Sequence, residues 1–299
     1  MSLFTGSAVA LVTPFSTSGV DYEALDKLLD YQLTYGTSAL FVLGTTGEPA
    51  TMTKAERDGV VKFVISRVKG KLPVIVGAGS NCTATAVENA VNAQALGADG
   101  LLVVTPYYNK CTQNGLVEHY RAVCDSVGIP VIAYNVPTRT KVNINPETAA
   151  RLCELKNMSG IKEASGDIDQ IQALAAAIEG GMDFYIGDDS LTVVSYCLGA
   201  KGVISVAANA VPRIMTRLTN LCRQQRFEEA REMQFKIMPL MSALFCEVNP
   251  IPVKKAMEFI GIPCGKPRLP LTEMEPQNAE KLKKALNDLT IDILGAKLC

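Results

Sequence analysis

The chain has 299 residues, of which 48% are hydrophobic and 20% charged, an ordinary balance for a globular protein. Its 29 Lys and Arg residues nearly equal its 30 Asp and Glu residues, so net charge favours neither a nucleic-acid partner nor an anionic membrane surface. Its apolar runs are shorter than the roughly 20 residues of a membrane helix, and no Lys or Arg precedes the first of them as a secretory signal would require, so we expect a cytoplasmic protein.

Short apolar runs typical of buried strands recur along the chain at intervals of about 20 to 35 residues. They are nearly continuous rather than alternating, as expected of parallel strands that are covered on both faces. The predicted strands are residues 8–12, 39–43, 73–77, 101–104, 130–134, 160–162, 184–186 and 203–206.

Helical patterns separate these runs. Leu25, Leu28 and Leu29 repeat at helical spacing, and Thr53 with Glu56 forms a T-x-x-E capping box at the start of another predicted helix. Alternation of strands and helices requires a parallel sheet, because a parallel return needs a crossover. The repetition favours an α/β fold, a closed (β/α)8 TIM barrel, with a doubly wound open sheet as the structural alternative.

The chain changes character after residue 225. Residues 227–245, 251–260 and 276–294 show helical patterns without a convincing strand between them. We expect residues 1–225 to form the catalytic barrel and residues 226–299 to form a C-terminal helical extension. No low-complexity linker separates the two, so the extension should pack on the barrel as part of the same structural unit.

Lys162 is the most informative candidate for chemistry. Functional groups of a barrel collect at the carboxyl ends of its strands, and Lys162 ends a short apolar run. Because a charged ammonium is costly to bury, such a site favours the neutral amine, which attacks carbonyl groups. The alternative is a structural pair with Glu163, although adjacent residues of a strand point to opposite faces. The residues alone leave both interpretations open.

Other strand ends add polar groups, each with a plain structural alternative. Tyr134 would lie near Lys162 and move protons, or be a core tyrosine. Thr45 and Thr46, between glycines, would cradle a carboxylate with hydroxyls and backbone N–H groups, or form a simple turn. Arg139 would bind a second carboxylate, or be a surface charge. Together, at the mouths of consecutive strands, they form a coherent site.

The sequence predicts no metal site. A metal-dependent aldolase needs several imidazoles, and the single histidine, His119, is expected on the exposed face of a helix. The nine cysteines include no C-x-x-C pair, and their number is odd, so neither a zinc ribbon nor a disulfide framework is indicated.

Four motifs together resemble the dihydrodipicolinate synthase and N-acetylneuraminate lyase superfamily, and most of all its dihydrodipicolinate synthase branch. They are G-T-T-G-E at 44–48, T-P-Y-Y-N at 105–109, Y-N-V-P-T-R-T at 134–140 and G-I-K-E-A at 160–164. A lone G-T-T-G-E would be weak, whereas the four in order are specific. The resemblance runs from residue 6 to residue 254, nearly the whole chain.

The resemblance implies a Schiff-base aldolase-type lyase without metal or organic cofactor. Lys162 would form the imine with pyruvate, while Tyr134, Thr45 and Tyr108 match the family's proton relay. The equivalent of Tyr108 reaches across from a neighbouring subunit. A homo-oligomer is therefore implied, usually a tetramer built from two tight dimers.

The resemblance also implies the substrates. Thr46 and the Ile204 main chain would hold the carboxylate and oxygen of pyruvate, and Gly187 is a further substrate-binding position. Arg139 would receive the carboxylate of aspartate semialdehyde. The product would be a hydroxylated tetrahydrodipicolinate, which leads to diaminopimelate and lysine.

Two other functions remain open at this point. Related lyases that act on N-acetylneuraminate or keto-deoxy-sugar acids usually carry serine in the place of Thr45 and lack the arginine at 139. A catalytically inactive barrel that serves as a regulator would be expected to lose Lys162, Tyr134 or Thr45, all of which are present.

The family's lysine feedback site is only partly matched. Asn81 and Tyr107 match it and mark a possible vestigial effector site. Thr85 stands where feedback-sensitive bacterial forms carry a glutamate, and Lys54 and Arg57 replace their histidines. A bound lysine would lose its charged partner and meet added positive charge.

We therefore predict weak or absent inhibition by lysine. The measurement is the rate of condensation as lysine is titrated. Strong inhibition at low lysine concentration would contradict the prediction.

Overall fold

The computed structural model describes residues 2–68 and 70–294. Within these residues, eight parallel strands close into a barrel in the order β1-β4-β5-β6-β7-β8-β9-β10, and two short strands form a separate antiparallel hairpin. The TIM barrel is confirmed, and the predicted strand bounds differ from the observed ones by at most two residues at either end. The strands are β1 (Gly6–Ala10), β2 (Phe15–Ser16), β3 (Gly19–Val20), β4 (Ala39–Val42), β5 (Val74–Gly77), β6 (Gly100–Val104), β7 (Val131–Asn135), β8 (Met158–Glu163), β9 (Asp183–Ile186) and β10 (Gly202–Ser205).

Helices surround the barrel and continue beyond it. None of those described is long and apolar enough to cross a membrane. They are α1 (Tyr22–Thr34), α2 (Lys54–Val68), α3 (Thr83–Ala95), α4 (Gln113–Ser126), α5 (Pro137–Thr140), α6 (Pro146–Leu152), α7 (Ile168–Ala177), α8 (Thr192–Cys197), α9 (Pro212–Arg223), α10 (Phe227–Leu244), α11 (Ile251–Phe259) and α12 (Pro276–Leu294).

The capping box predicted before α2 is confirmed. The Thr53 backbone N–H donates to Glu56 Oε2 at 2.9 Å, and the Glu56 N–H donates to Thr53 Oγ1 at 3.2 Å. The two side chains thus satisfy N–H groups that the first turn of a helix leaves unpaired.

Side chains of the barrel strands alternate between the interior and the surrounding helices, as the period of a strand dictates. In β4, for example, Phe41 belongs to the interior cluster, and Leu40 belongs to the core under the helices. Aromatic rings fill one end of the interior: the Phe4 ring stacks on Tyr185 with centroids 4.4 Å apart and meets Phe41 edge-on at 5.6 Å. The interior is therefore a packed core below the strand ends rather than a pore.

Asn209 joins the carboxyl ends of the first and last barrel strands. This fully buried side chain accepts a hydrogen bond from the Val12 N–H at 3.1 Å and donates to the Ala10 carbonyl at 2.8 Å. It also donates to the Val206 carbonyl at 3.0 Å. Asn209 thereby satisfies backbone groups just where β1 and β10 stop pairing.

The C-terminal extension consists of α10, α11 and α12, which lie where the sequence predicts helices. The three helices contact one another, and α10 also contacts α8 and α9 of the barrel. The division between residues 225 and 226 stays a prediction. Eight cysteines among the described residues are unpaired, and Cys299 lies outside those residues.

The prediction that His119 is exposed is wrong, because its side chain is only 4% exposed. It shares the buried face of α4 with Leu116 and Val123, three residues before it and four after it. Its Nδ1 lies 3.0 Å from Thr83 Oγ1, and burial lowers its pKa. His119 is a polar residue on the apolar face of α4, and its polarity led to the wrong prediction of an exposed side chain.

We expect Asn209→Ala to destabilise the fold by about 3 kcal/mol. The substitution leaves the Val12 N–H and the Ala10 carbonyl at the barrel seam without their hydrogen-bond partner. Urea unfolding followed by circular dichroism measures the effect as a lower midpoint. Asn220→Ala, on the exposed face of α9, is the matched control and should leave the midpoint unchanged. A midpoint for Asn209→Ala equal to that of the control would contradict the seam role.

Candidate active site

Lys162 lies inside the barrel at the carboxyl end of β8. In the strand register it stands beside Tyr134 of β7 and Tyr185 of β9, and its side chain is 5% exposed. Its Nζ lies 4.3 Å from the centroid of the Tyr134 ring. Within the described residues no carboxylate pairs with this amine, so the structural alternative of a Lys162–Glu163 pair is wrong.

Glu163 points away from Lys162, toward the layer of helices. Its Oε2 accepts from Asn135 Nδ2 at 2.8 Å and its Oε1 accepts from the Ser165 N–H at 2.6 Å. Burial raises the pKa of this carboxyl. The contacts fix the loop after β8, on which Ser165 stands at the edge of the site.

Gly187, directly after β9, leaves the room that the Lys162 side chain occupies. A Cβ atom at this position would lie 2.5 Å from Lys162 Cε and 3.2 Å from Lys162 Cγ. Both distances are shorter than a van der Waals contact, so any larger residue would displace the lysine stem.

The turn after β4 carries Thr45 and Thr46. It is a single 3-10 turn, Thr45–Gly47, in which the Gly47 N–H donates to the Gly44 carbonyl at 2.9 Å. Thr46 is buried, and its Oγ1 accepts a hydrogen bond from Asn249 Nδ2 at 2.9 Å. The turn therefore presents hydroxyls and backbone N–H groups in a fixed arrangement, as an anion cradle requires.

These elements surround one cavity of about 410 Å³, here called the main cavity. It brings together six of the predicted site residues: Thr45, Thr46, Tyr134, Arg139, Lys162 and Gly187. A cavity of this size with a few convergent polar groups suits a small carboxylic acid. No group of three or more His, Cys, Asp or Glu side chains within the described residues could hold a metal ion.

Arg139 is exposed on α5, the short helix after β7, and lines the main cavity from its rim. Its Nη2 lies 3.4 Å from the Asn249 carbonyl, a long hydrogen bond that leaves the guanidinium free to bind a carboxylate in bidentate fashion.

Four predicted positions do not line the main cavity. Ile204 is fully buried in the barrel interior, Asn81 is exposed, and Tyr108 is 86% exposed with a left-handed backbone (φ 71°). Tyr107 lines a second space of about 460 Å³, the adjoining cavity, which shares Thr45, Tyr134 and Arg139 with the main cavity.

Of the residues considered for the possible effector site, Tyr107 and Arg57 line the adjoining cavity. Arg57 is half-buried and lines it, whereas Thr85 is exposed at the start of α3. Lys54 is exposed and pairs with Asp58 at 3.0 Å. Arg57 therefore adds a positive charge to the cavity that Tyr107 and Arg139 also line.

The sequence did not assign the residues that close the main cavity on its far side. Met241, Ser242 and Phe245 at the end of α10 line it, as does Asn249 before α11. The signal for Asn249 is its place in the stretch N-P-I-P-V-K at 249–254, where the resemblance ends, although none of these residues was given a role. The α10 residues carry no signal, because an apolar helix face looks the same on a site as on a core.

Asp189 is a further buried group that the sequence did not single out. Its Oδ2 accepts from the N–H groups of Val206 at 3.0 Å and Ala207 at 2.9 Å, and burial raises its pKa. These bonds fix the turn after β10, and Val206 in that turn lines the main cavity.

Comparison with known proteins agrees with this geometry. The model of the dihydrodipicolinate synthetase family matches residues 3–289. A 4-hydroxy-tetrahydrodipicolinate synthase from Caldicellulosiruptor bescii is 51% identical over 294 residues, which cover 98% of this chain and 99% of the relative.

Two solved structures share the fold closely. The dihydrodipicolinate synthase from Thermotoga maritima matches with a TM-score of 0.95 and 43% identity, covering 97% of this chain and 99% of that one. The chloride-inhibited dihydrodipicolinate synthase from Acinetobacter baumannii, complexed with pyruvate, matches with a TM-score of 0.94 and 43% identity, covering 96% and 99%. The chain therefore belongs to the dihydrodipicolinate synthetase family and is an enzyme of that family.

Proposed function

We propose that the chain condenses pyruvate with aspartate 4-semialdehyde to 4-hydroxy-tetrahydrodipicolinate through an imine on Lys162. The observation that carries the proposal is a buried lysine that no carboxylate of the described residues pairs with, in a cavity with a threonine turn and with the Tyr134 ring centroid 4.3 Å from the lysine Nζ. A lysine amine is a nucleophile toward a ketone carbon. The membership of the family supports the same reaction.

In the proposed reaction, Lys162 Nζ attacks the ketone carbon of pyruvate, and the carbonyl oxygen leaves as water. The protonated imine is an electron sink, so the methyl group loses a proton and an enamine forms. The enamine carbon attacks the aldehyde carbon, whose oxygen takes up a proton. The amino group that the semialdehyde brought then attacks the imine carbon of the enzyme-bound adduct. This step closes the ring and releases the Lys162 amine.

Thr46 would hold the carboxylate of pyruvate with its backbone N–H and hydroxyl, and Gly187 and the Ile204 main chain would complete that pocket. Tyr134 and Thr45 both line the main cavity and would move protons to and from the imine. The reaction needs no metal or organic cofactor in this scheme, because the lysine itself activates the carbonyl.

Tyr108 would complete the relay in a neighbouring subunit. Its side chain is 86% exposed and lines no part of the main cavity of its own chain. An exposed tyrosine on a left-handed backbone suits insertion into a partner copy. We propose a homotetramer built from two dimers, acting in the cytoplasm in diaminopimelate and lysine biosynthesis.

Arg139 would select the acceptor. Its guanidinium stands at the rim of the main cavity, where it would pair with the carboxylate of aspartate semialdehyde. A neutral sugar acceptor lacks this group. Arg139 thus supports the semialdehyde over a sugar.

The first test follows condensation with pyruvate, offering aspartate semialdehyde and N-acetylmannosamine as competing acceptors. Turnover with the semialdehyde is expected, and Lys162→Ala should lower it at least about a thousandfold because no imine can form. Lys201→Ala, an exposed lysine before β10, is the control and should keep full activity. Turnover with the sugar alone would overturn the substrate assignment, and full activity of Lys162→Ala would overturn the nucleophile.

Gly187→Ala should reduce kcat/KM about a hundredfold, because the added methyl group displaces the Lys162 stem from its working position. Borohydride trapping of the pyruvate imine should fall in parallel. Gly128→Ala serves as the control, since the nearest atom to its Cβ, Gln94 Oε1, lies at an ordinary 3.7 Å. Undiminished trapping in Gly187→Ala would contradict this account.

A further inference from the structure

Glu48 and Lys254 form an ion pair that is almost wholly removed from solvent. Lys254 Nζ lies 2.6 Å from Glu48 Oε1, and the two side chains are 1% and 2% exposed. Burying two charges costs more desolvation energy than their attraction commonly returns, so such a pair is a poor source of stability. A role in fixing the position of neighbouring residues explains such a pair better than a gain in stability does.

Glu48 ends the turn that carries Thr45 and Thr46. Its backbone is left-handed (φ 55°, ψ 41°), and its N–H donates to the Thr45 carbonyl at 3.2 Å. The Glu48 carbonyl accepts from the N–H and hydroxyl of Thr51 at 3.1 and 3.0 Å. A left-handed conformation is unfavourable for a residue with a side chain, so it persists only where other contacts impose it.

The C-terminal extension contacts this turn through three residues. Asn249 donates to Thr46 Oγ1 at 2.9 Å, and five residues later Lys254 pairs with Glu48. A third bond comes from the Arg268 N–H, which donates to Glu48 Oε2 at 2.9 Å. Both carboxylate oxygens of Glu48 are thus held by residues of the extension.

The surroundings hold Lys254 just as firmly. Its Nζ lies 4.2 Å from the centroid of the Phe15 ring, and Arg268 Cζ lies 4.0 Å from the same ring. Arg268 also binds Glu56 at the start of α2 at 2.5 Å. These contacts fix the position of the Lys254 ammonium, and the ion pair in turn fixes the position of the Glu48 carboxylate.

We propose that the Glu48–Lys254 ion pair is a positioning device for the substrate carboxylate. It fixes the Thr45–Thr46 turn in the geometry that receives pyruvate, and it makes the C-terminal extension part of the active site. This inference rests on the proposed function, since the carboxylate is that of pyruvate. Neither residue lines the main cavity, so both act through Thr45 and Thr46.

The test replaces both charges together with Glu48→Gln and Lys254→Met, because removing one partner alone leaves a buried charge unpaired. The readout is the pyruvate concentration that half-saturates borohydride trapping of the imine. We expect this concentration to rise about tenfold or more, the effect of losing well-placed hydrogen bonds to a charged group. Trapping at saturating pyruvate should stay near the wild-type level, because Lys162 is untouched.

The matched control is an ion pair on the same helix. Lys255 pairs with Glu258 at 2.8 Å, with side chains 29% and 56% exposed. Lys255→Met with Glu258→Gln makes the same chemical change at the surface and should leave the half-saturating concentration unchanged.

An unchanged half-saturating concentration in the folded Glu48 and Lys254 double variant would overturn the positioning role. If that variant does not fold, Glu48→Asp, which keeps both charges and shortens the side chain by one methylene group, decides the question in the same assay. Absence of trapping in the wild-type chain at every pyruvate concentration would overturn the proposed function instead, so the two failures are distinguishable.

Discussion

The structure depends on one constraint: in a closed parallel barrel, alternate side chains point inward and all strand ends of one kind meet at one rim. The register sets Tyr134 beside Lys162 on neighbouring strands, and both point inward. The next residues along each strand, Asn135 and Glu163, point outward and bond to each other. Strand alternation therefore separates the side chains that line the main cavity from the polar side chains that bond behind it.

The main cavity exists because small residues stand where the interior reaches that rim. The rings of Phe4, Phe41 and Tyr185 pack together in the interior, and Phe41 also lines the main cavity. At the rim, Gly187 leaves the room that the Lys162 stem fills. The packed lower half and the open upper half of the interior bury the Lys162 side chain and still let it line the main cavity.

The C-terminal extension is a wall of the site as well as a covering of the barrel. The end of α10 faces the main cavity, and the segment from Asn249 to Lys254 holds the turn after β4 through Thr46 and Glu48. The turn is thus fixed from two directions, by its own strand and by a segment that the chain reaches some two hundred residues later. Rigid support of this kind is what a site for a small substrate requires.

The amino-acid sequence by itself determined the eight strands and the order of strands and helices, and it singled out six of the residues that line the main cavity. These follow from local patterns: apolar runs, helical spacing and motifs at strand ends. Tertiary structure alone decided that His119 is buried, that Glu163 bonds to Asn135, and that Asn249 bonds to Thr46. The reason is physical, because burial and hydrogen bonding between residues distant in the chain depend on packing, and no local pattern encodes which faces will meet.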